Sequence, residues 1–315
     1  MAKHPKAATI TVQVRNSAAG QFVDADQYKG ETMQAAIEKV TVTGASGKAG
    51  FAIANYLVDA GYDVLATDVA PPRAGLKCRF LRADLTQYGE AVEVLNGMDA
   101  VVHMANIPAN NIYTESTTFN QNILMNANVF QAAGAVGLER VVWASSETTL
   151  GLPFDPPLYA PVDEDHYPHP TSTYALSKVV TEEMARHHSK WWNIPFIGFR
   201  FTNIFAQEDY ARVPGYQDDP SDRSWNLFGY VDVRDCALAC DLALKADVTG
   251  ADTMIIAAAD TIIDRPSREL AEEIFPGLEF RSAVEGTDTL LSIEKARRVL
   301  NYQPQYSWRE MVSHD

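Results

Sequence analysis

The chain has 315 residues, 46% hydrophobic and 21% charged, a balance that excludes a disordered or collagen-like polypeptide and allows about two domains, or one large α/β domain with an appended lobe. With 26 Lys and Arg against 41 Asp and Glu the net charge is −15, so the surface repels phosphate backbones and argues against nucleic acid as a partner. No apolar run reaches the roughly 18 residues of a membrane span, the first residues lack a signal-peptide core, and three Cys without a CxxC fit a reducing cytoplasm and no metal site.

Residues 1–37 read as an N-terminal extension. Within it Ile10, Val12 and Val14 alternate with polar residues, which predicts a short strand, and Thr32–Glu38 could form a helical turn. Such a segment is either a terminal extension on the surface or an arm for regulation or dimer contact. From Lys39 the texture changes. A strand over Lys39–Thr43 precedes a helix over Lys48–Ala60 and a strand over Asp63–Thr67. A short strand at Arg79–Leu81, a helix at Gln87–Leu95 and a strand at Ala100–His103 follow. Next come a long helix at Ser116–Ala135, a strand at Arg140–Ala144, a second long helix at Thr173–Trp191 and a strand at Pro195–Phe201. This alternation predicts right-handed crossovers and a doubly wound parallel sheet, an α/β domain over 38–205. Residues 206–315 read mainly as a small substrate-binding lobe with elements that return to the first domain. There Gln207–Asn226 is polar and Pro-containing and reads as a loop. Helices are expected at Val233–Leu244, Arg268–Phe275 and Ile293–Leu300, and a strand at Asp252–Ala257.

Between the first strand and helix lies Gly44-Ala45-Ser46-Gly47-Lys48-Ala49-Gly50. Gly44 would allow a tight turn, Gly47 close backbone approach to a pyrophosphate, and Gly50 tight helix–strand packing. The helix N-terminus then presents free N–H groups to phosphates. Asp68 ends the second strand, where a carboxylate accepts from ribose hydroxyls and repels a 2′-phosphate; NAD is favoured over NADP, with Arg73 nearby leaving NADP open. Asp84 could meet the adenine amino group or cap the next helix. Tyr174 and Lys178 stand one helical turn apart, so the ammonium is expected to lower the Tyr pKa and make it a proton-transfer group. They open a helix just beyond the strand ending in Ser145-Ser146, where a hydroxyl can bond the reacting oxygen.

In order along the chain stand Gly44/Gly47/Gly50, Asp68, Asp84-Leu85, Val102-His103-Met104-Ala105, Ser145-Ser146, Tyr174/Lys178 and Arg200-Phe201-Thr202-Asn203. Gly229-Tyr230-Val231-Asp232-Val233-Arg234-Asp235 and Lys295-Ala296-Arg297-Arg298-Val299-Leu300 follow. As a set, over about 39–310, these resemble the extended short-chain dehydrogenase/reductases, the NAD-dependent epimerase/dehydratase family. The resemblance implies a Rossmann domain and a catalytic set of Ser146, Tyr174 and Lys178. It implies a dinucleotide held by Gly44, Ser46, Gly47, Lys48, Ala49, Gly50, Asp68, Asp84, Leu85, Met104, Ala105, Asn106 and Lys178. It also implies a homodimer through the two long helices.

Within that family, dehydratases carry Thr-Asp-Glu where this chain has Ser146-Glu147-Thr148, which counts against dehydration. Many epimerases carry Tyr before the closing Gly151, where this chain has Leu150. The chain looks most like uronate dehydrogenases, which oxidise C1 of a uronic acid, and the likeness puts Glu147, Asn203 and Arg212 beside the substrate with Ser146. Arg212 is expected to bind a substrate carboxylate or to be a solvated loop charge. Glu147, where that branch has Asn, disfavours an anionic sugar, so a neutral aldose stands beside a uronate as candidate. The alternatives are a nucleotide-sugar 4-epimerase or reductase, and a non-catalytic dinucleotide sensor, which has no need of the triad.

Overall fold

Strand β1 (Lys39–Thr43) leads into helix α1 (Lys48–Asp59) and β2 (Asp63–Asp68). The alternation continues through β3 (Arg79–Arg82), α2 (Tyr88–Leu95), β4 (Ala100–His103), α3 (Glu115–Val136), β5 (Arg140–Ala144), α4 (Thr173–Trp192) and β6 (Phe196–Phe201). Shorter pieces follow: β7 (Ile204–Phe205), α5 (Val213–Asp218), β8 (Val231–Asp232), α6 (Val233–Lys245), β9 (Ala251–Ile256), α7 (Ser267–Ile274), α8 (Glu294–Leu300) and α9 (Trp308–Met311). This computed structural model describes residues 36–154, 156–166 and 168–312. The strand expected at Ile10–Val14 and most of the Thr32–Glu38 turn lie outside the described residues, and 36–38 are not helical.

Seven strands form one parallel sheet in the order β3-β2-β1-β4-β5-β6-β9. The protein is thus a doubly wound, Rossmann-like α/β fold, and the order reverses between β1 and β4, whose ends Thr43 and His103 pair in register. At such a reversal the crossovers leave in opposite directions and open a crevice. Both faces of the sheet are covered, which is why the strands read as near-continuous apolar runs. Val40, Val42, Val142 and Ile197 pack into one layer with Ile53 and Leu57 of α1, and α1 packs against α6. Val101, Val141 and Trp143 face the other layer, where α3 packs against α2 and α4. Phe130 of α3 anchors that layer, edge-on to Trp143 and Phe196 at 5.7 and 5.0 Å between ring centroids. Truncating such a ring to Ala costs about 3–5 kcal/mol.

The long helices have local start and stop signals. Ser172 Oγ accepts from Ala175 N (3.1 Å) at the head of α4, and α3 stops at Gly137, whose φ of 78° lies in the left-handed region. Gln207–Asn226 corrects the sequence reading: it is not a loop but a 3₁₀ turn (Gln207–Arg212), α5 and a second 3₁₀ turn (Pro220–Asn226). Its Pro and Asp residues are the starts of short helices. Asp209 accepts from Ala206 N (2.8 Å) and Asp219 from Ser221 N (3.0 Å), while Pro214 and Pro220 occupy first turns. The short α9 lies beyond the last helix expected from the sequence. The described residues from Ile37 onward form one compact unit, in which β9 and α6 return to the sheet beside β6 and α1.

Candidate active site

A cavity of about 980 Å³ opens at the carboxyl ends of the strands and is lined by the glycine loop and by residues as far along the chain as Trp225. The glycine loop forms its floor. Gly44 has φ +66°, and a Cβ there would lie 2.7 Å from Ala105 N. A Cβ on Gly50 would fall on the Gly44 carbonyl oxygen. Only glycines let α1 start this close to β1. Gly47 caps α1 without a side-chain acceptor, so the first-turn N–H groups of the helix remain available to an anion. Asp68 closes the far wall, one carboxylate oxygen accepting from Ser46 N (3.0 Å) and the other from Ala70 N (2.9 Å). Lys48 lines the cavity, but its ammonium pairs with Asp209 and donates to Ile204 O (3.3 Å), tying the loop to the segment after β6.

Asp84 and Leu85 line the same wall. Asp84 accepts from Thr86 N and Oγ1 (2.9 and 2.7 Å); the N-cap of α2 is Gln87, so Asp84 makes a local turn and does not cap that helix. Met104 N and Ala105 N both donate to Thr43 Oγ1 at 3.1 Å, which holds the turn after β4 against β1. Thr43 Oγ1 also shares a hydrogen bond with His103 Nδ1 (2.8 Å), and burial pushes that imidazole down to about 3, so it is a neutral core residue. Asn106 Oδ1 accepts from Asn126 Nδ2 (2.9 Å), while Asn106 Nδ2 has no hydrogen-bond partner among the described residues.

Ser146, Tyr174 and Lys178 meet at the centre of the cavity. Ser145 is turned away: its Oγ donates to Glu182 (2.7 Å), which also takes a bidentate pair from Arg200 at 2.9 Å. That buried network binds α4 to β5 and β6, and leaves Ser146 as the hydroxyl facing the cavity. Lys178 Nζ donates to Ala144 O (2.7 Å) and stands 5.7 Å from the Tyr174 ring centroid. The expected lowering of the Tyr174 pKa is not found. Burial, followed by a smaller contribution from the Glu147 charge, pushes the phenol up to about 12 against the lowering bond to Ser146. Burial likewise brings the Lys178 amine down to about 7. Desolvation outweighs the charge effect expected from the spacing, because both groups are enclosed by α4, β5 and the 147–150 turn.

At the other end Glu147 and Asn203 line the cavity but Arg212 does not. The 3₁₀ turn carries Arg212 outward; its side chain is 59% exposed and pairs with Asp209 three residues earlier. A different guanidinium is buried here. Arg223 donates to Asn203 Oδ1 (3.1 Å) and Gly229 O (2.8 Å), and Asn226 Nδ2 donates to the Glu147 carboxyl oxygens at 3.2 and 3.3 Å. Sequence reasoning missed Arg223, Trp225 and Asn226. Their only signal was an Arg two residues before a Trp in a segment taken for a loop. Among the described residues no group of His, Cys, Asp and Glu is arranged to hold a metal, and no helix is long and apolar enough to cross a membrane.

A family model described as the NAD dependent epimerase/dehydratase family matches residues 40–220. The chain is 26% identical over 180 residues to a uronate dehydrogenase of Pseudomonas putida, covering 56% of this chain and 64% of that one. It is 25% identical over 208 residues to GDP-mannose 3,5-epimerase 1 of Oryza sativa subsp. japonica, covering 60% and 53%. The chain thus spans between half and two thirds of the length of these relatives and of a Methanocaldococcus jannaschii protein described as a putative UDP-glucose 4-epimerase. A short-chain dehydrogenase/reductase superfamily protein from Agrobacterium tumefaciens with bound NAD superposes with a TM-score of 0.66 at 21% identity, over 87% of this chain and 94% of that one. At that identity the likeness is one of fold.

Proposed function

The chain belongs to the NAD-dependent epimerase/dehydratase family, and from that premise we propose that it is an NAD-dependent oxidoreductase acting on a sugar hydroxyl, C1 of a free aldose or uronate. The observation that carries this reading is the meeting of Ser146, Tyr174 and Lys178 in the same cavity as the glycine loop and Asp68. The residues fit a dinucleotide: the loop admits no Cβ at Gly44 or Gly50, α1 begins without a side-chain cap, and the Asp68 carboxylate lines the same cavity. Gly44, Ser46, Gly47, Ala49 and Gly50 would hold the pyrophosphate, and Asp68, Asp84 and Leu85 the adenosine. Met104, Ala105, Asn106 and Lys178 would hold the second ribose and its ring. Asp68 repels a 2′-phosphate, which favours NAD over NADP.

When bound, the oxidised dinucleotide would supply the hydride acceptor. Ser146 holds the sugar oxygen that loses its proton, and Tyr174 Oη moves that proton. Burial holds the phenol high, so oxidation speeds up as pH rises and Tyr174 ionises more readily. Lys178, fixed to Ala144 O, orients the ribose hydroxyls beside Tyr174. Asn203 and Glu147 face the remaining sugar hydroxyls. The same reading has two copies pairing through α3 and α4, whose outward sides expose Leu124 and Leu176.

The epimerase among the relatives supports a second reading, a nucleotide-sugar epimerase or reductase. One experiment separates them. The purified protein is mixed with NAD and a panel of free aldoses and uronic acids, and NADH formation is followed. Reduction of NAD with one sugar class supports the dehydrogenase reading. No reduction with any sugar, together with binding of UDP- or GDP-sugars, replaces it by the second.

A further inference from the structure

The cavity that holds Ser146 and Tyr174 is also lined by an indole that proton transfer does not use. Trp225 is half-buried and shares the lining with Glu147, Tyr174 and Asn203. Two bonds tie its segment to the stretch after β5. Phe154 N donates to Trp225 O (3.2 Å), and Nδ2 of the next residue, Asn226, donates to the Glu147 carboxyl (3.2 Å). Trp225 is not a loose surface residue, for Asn226, Leu227 and Phe228 after it are fully buried. Leu227 and Phe228 have φ of 53° and 60°, in the left-handed region where bulky side chains are strained, and their N–H groups donate to Ser224 O and Arg223 O (3.0 and 2.9 Å). Strain of this kind persists where the surroundings fix it, and it gathers at ligand sites. The Arg223 guanidinium lies against the rings of Tyr216 and Trp225, 5.3 and 5.2 Å from their centroids, yet Arg223 is 5% exposed and does not line the cavity. From this segment a ligand meets an indole and no guanidinium.

Resting on the reading that a sugar hydroxyl is held by Ser146 and Tyr174, we propose that Trp225 is the platform on which the substrate ring stacks, so that the site selects a cyclic sugar over the matching open-chain polyol. A pyranose gathers C–H groups on a nearly flat face and carries its hydroxyls around the edge. The C–H groups are drawn to the negative face of an aromatic ring, and stacking removes their apolar area from water. The hydroxyls at the edge find hydrogen-bonding groups in Asn203 and Glu147. An aromatic surface with a few placed polar groups is the usual make-up of a small-molecule site. An open-chain polyol has no such face and loses more torsional freedom on binding. Arg223, packed against the indole outside the cavity lining, holds the platform without taking space from the ligand.

The test uses pairs of a cyclic sugar and its open-chain counterpart: glucose with glucitol, galactose with galactitol, and glucuronate with gulonate. UDP-glucose measured against UDP makes the same comparison for a nucleotide-linked ring. Dissociation constants are measured by calorimetry on the full chain with NAD bound, for the wild type, Trp225→Phe and Trp225→Leu. The wild type is expected to bind the cyclic member of at least one pair about tenfold more tightly than its partner. Trp225→Phe keeps a flat ring and should hold that affinity within about threefold. Trp225→Leu keeps apolar bulk without the ring and should lose about tenfold for the cyclic sugar, with the open-chain partner, UDP and NAD each within about twofold. No preference for the ring in any pair, a cyclic-sugar affinity unmoved by Trp225→Leu, an equal loss in Trp225→Phe, or an equal loss for the open-chain partner or for UDP overturns the proposal. Ring selection that depends on Trp225 without NADH formation from any sugar would sink the oxidation reading and leave the platform standing. NADH formed from a sugar whose affinity ignores Trp225→Leu would do the reverse.

Discussion

The two ends of the cavity, proposed for the dinucleotide and for the sugar, are built in opposite ways. At the first, one stretch of chain, Gly44–Gly50, makes the surface out of backbone, and Asp68 is held by two N–H groups close by in the fold. At the second, side chains converge from separate places: Glu147 after β5, Asn203 after β6, and Arg223 and Asn226 from the turn before β8. Backbone surfaces tolerate almost no added atoms but are indifferent to charge elsewhere. Convergent side chains tolerate repacking but depend on each charge having its partner. The central triad belongs to neither end, being mounted on α4 and the segment after β5, which the Ser145–Glu182 hydrogen bond ties together.

The contrast can be broken first at its centre. Tyr174→Phe is expected to lower turnover by roughly 10²–10⁴-fold while the NAD dissociation constant stays within about threefold; a variant that still turns over would take α4 out of the chemistry. At the dinucleotide end, Gly50→Ala places a Cβ against the Gly44 carbonyl. An overpacking cost of about 1–3 kcal/mol should appear as an NAD affinity about tenfold weaker and a lower melting temperature; unchanged binding would mean that the loop has slack. Asp68→Ala should reduce the preference for NAD over NADP by about tenfold, read from the ratio of kcat/KM values. Unchanged discrimination would place the selector elsewhere.

At the sugar end the charge can be read through stability. The Glu147 carboxyl is raised from the usual 4.5 to about 8, so the folded state holds its proton more tightly than the unfolded chain does. The stability Glu147 contributes is therefore full below about pH 4.5 and falls as pH rises through about 8. Glu147→Gln has no such loss. Its melting temperature relative to wild type should climb by a few degrees between about pH 5 and about pH 8.5; a flat difference would show a carboxylate already ionised at the lower pH. The smallest effect belongs to Arg212→Ala. Its exposed pair with Asp209 should be worth less than about 1 kcal/mol, and the sugar KM should not move more than about twofold. A large rise in KM would bring Arg212 back to the substrate.

How much could be read in advance follows the same division. The strands, the long helices and the glycine loop were legible because each is a local pattern: alternating apolar runs, a Ser or Thr cap, glycines at fixed offsets between a strand and a helix. Asp68 was legible because it closes a strand at a set distance from that loop. Ser146 was chosen over Ser145 on the family resemblance, and the structure shows Ser145 engaged by Glu182. Residues 207–226 were misread because Pro, Gly and Asp start short helices as readily as they make loops. Arg212 was named on a resemblance and Arg223 was not considered, and no local pattern shows which arginine of such a segment a turn will point inward.

The sequence by itself determined the parallel α/β architecture, the dinucleotide loop and the presence of Ser146, Tyr174 and Lys178, since these depend on near neighbours in the chain and on periodic burial. Tertiary structure alone decided which of these guanidinium groups is buried, that Asn226 donates to Glu147, and that enclosure moves Tyr174 and Lys178 away from their ordinary pKa values. Burial and electrostatic coupling depend on what distant segments place around a group, and linear spacing does not encode that surrounding.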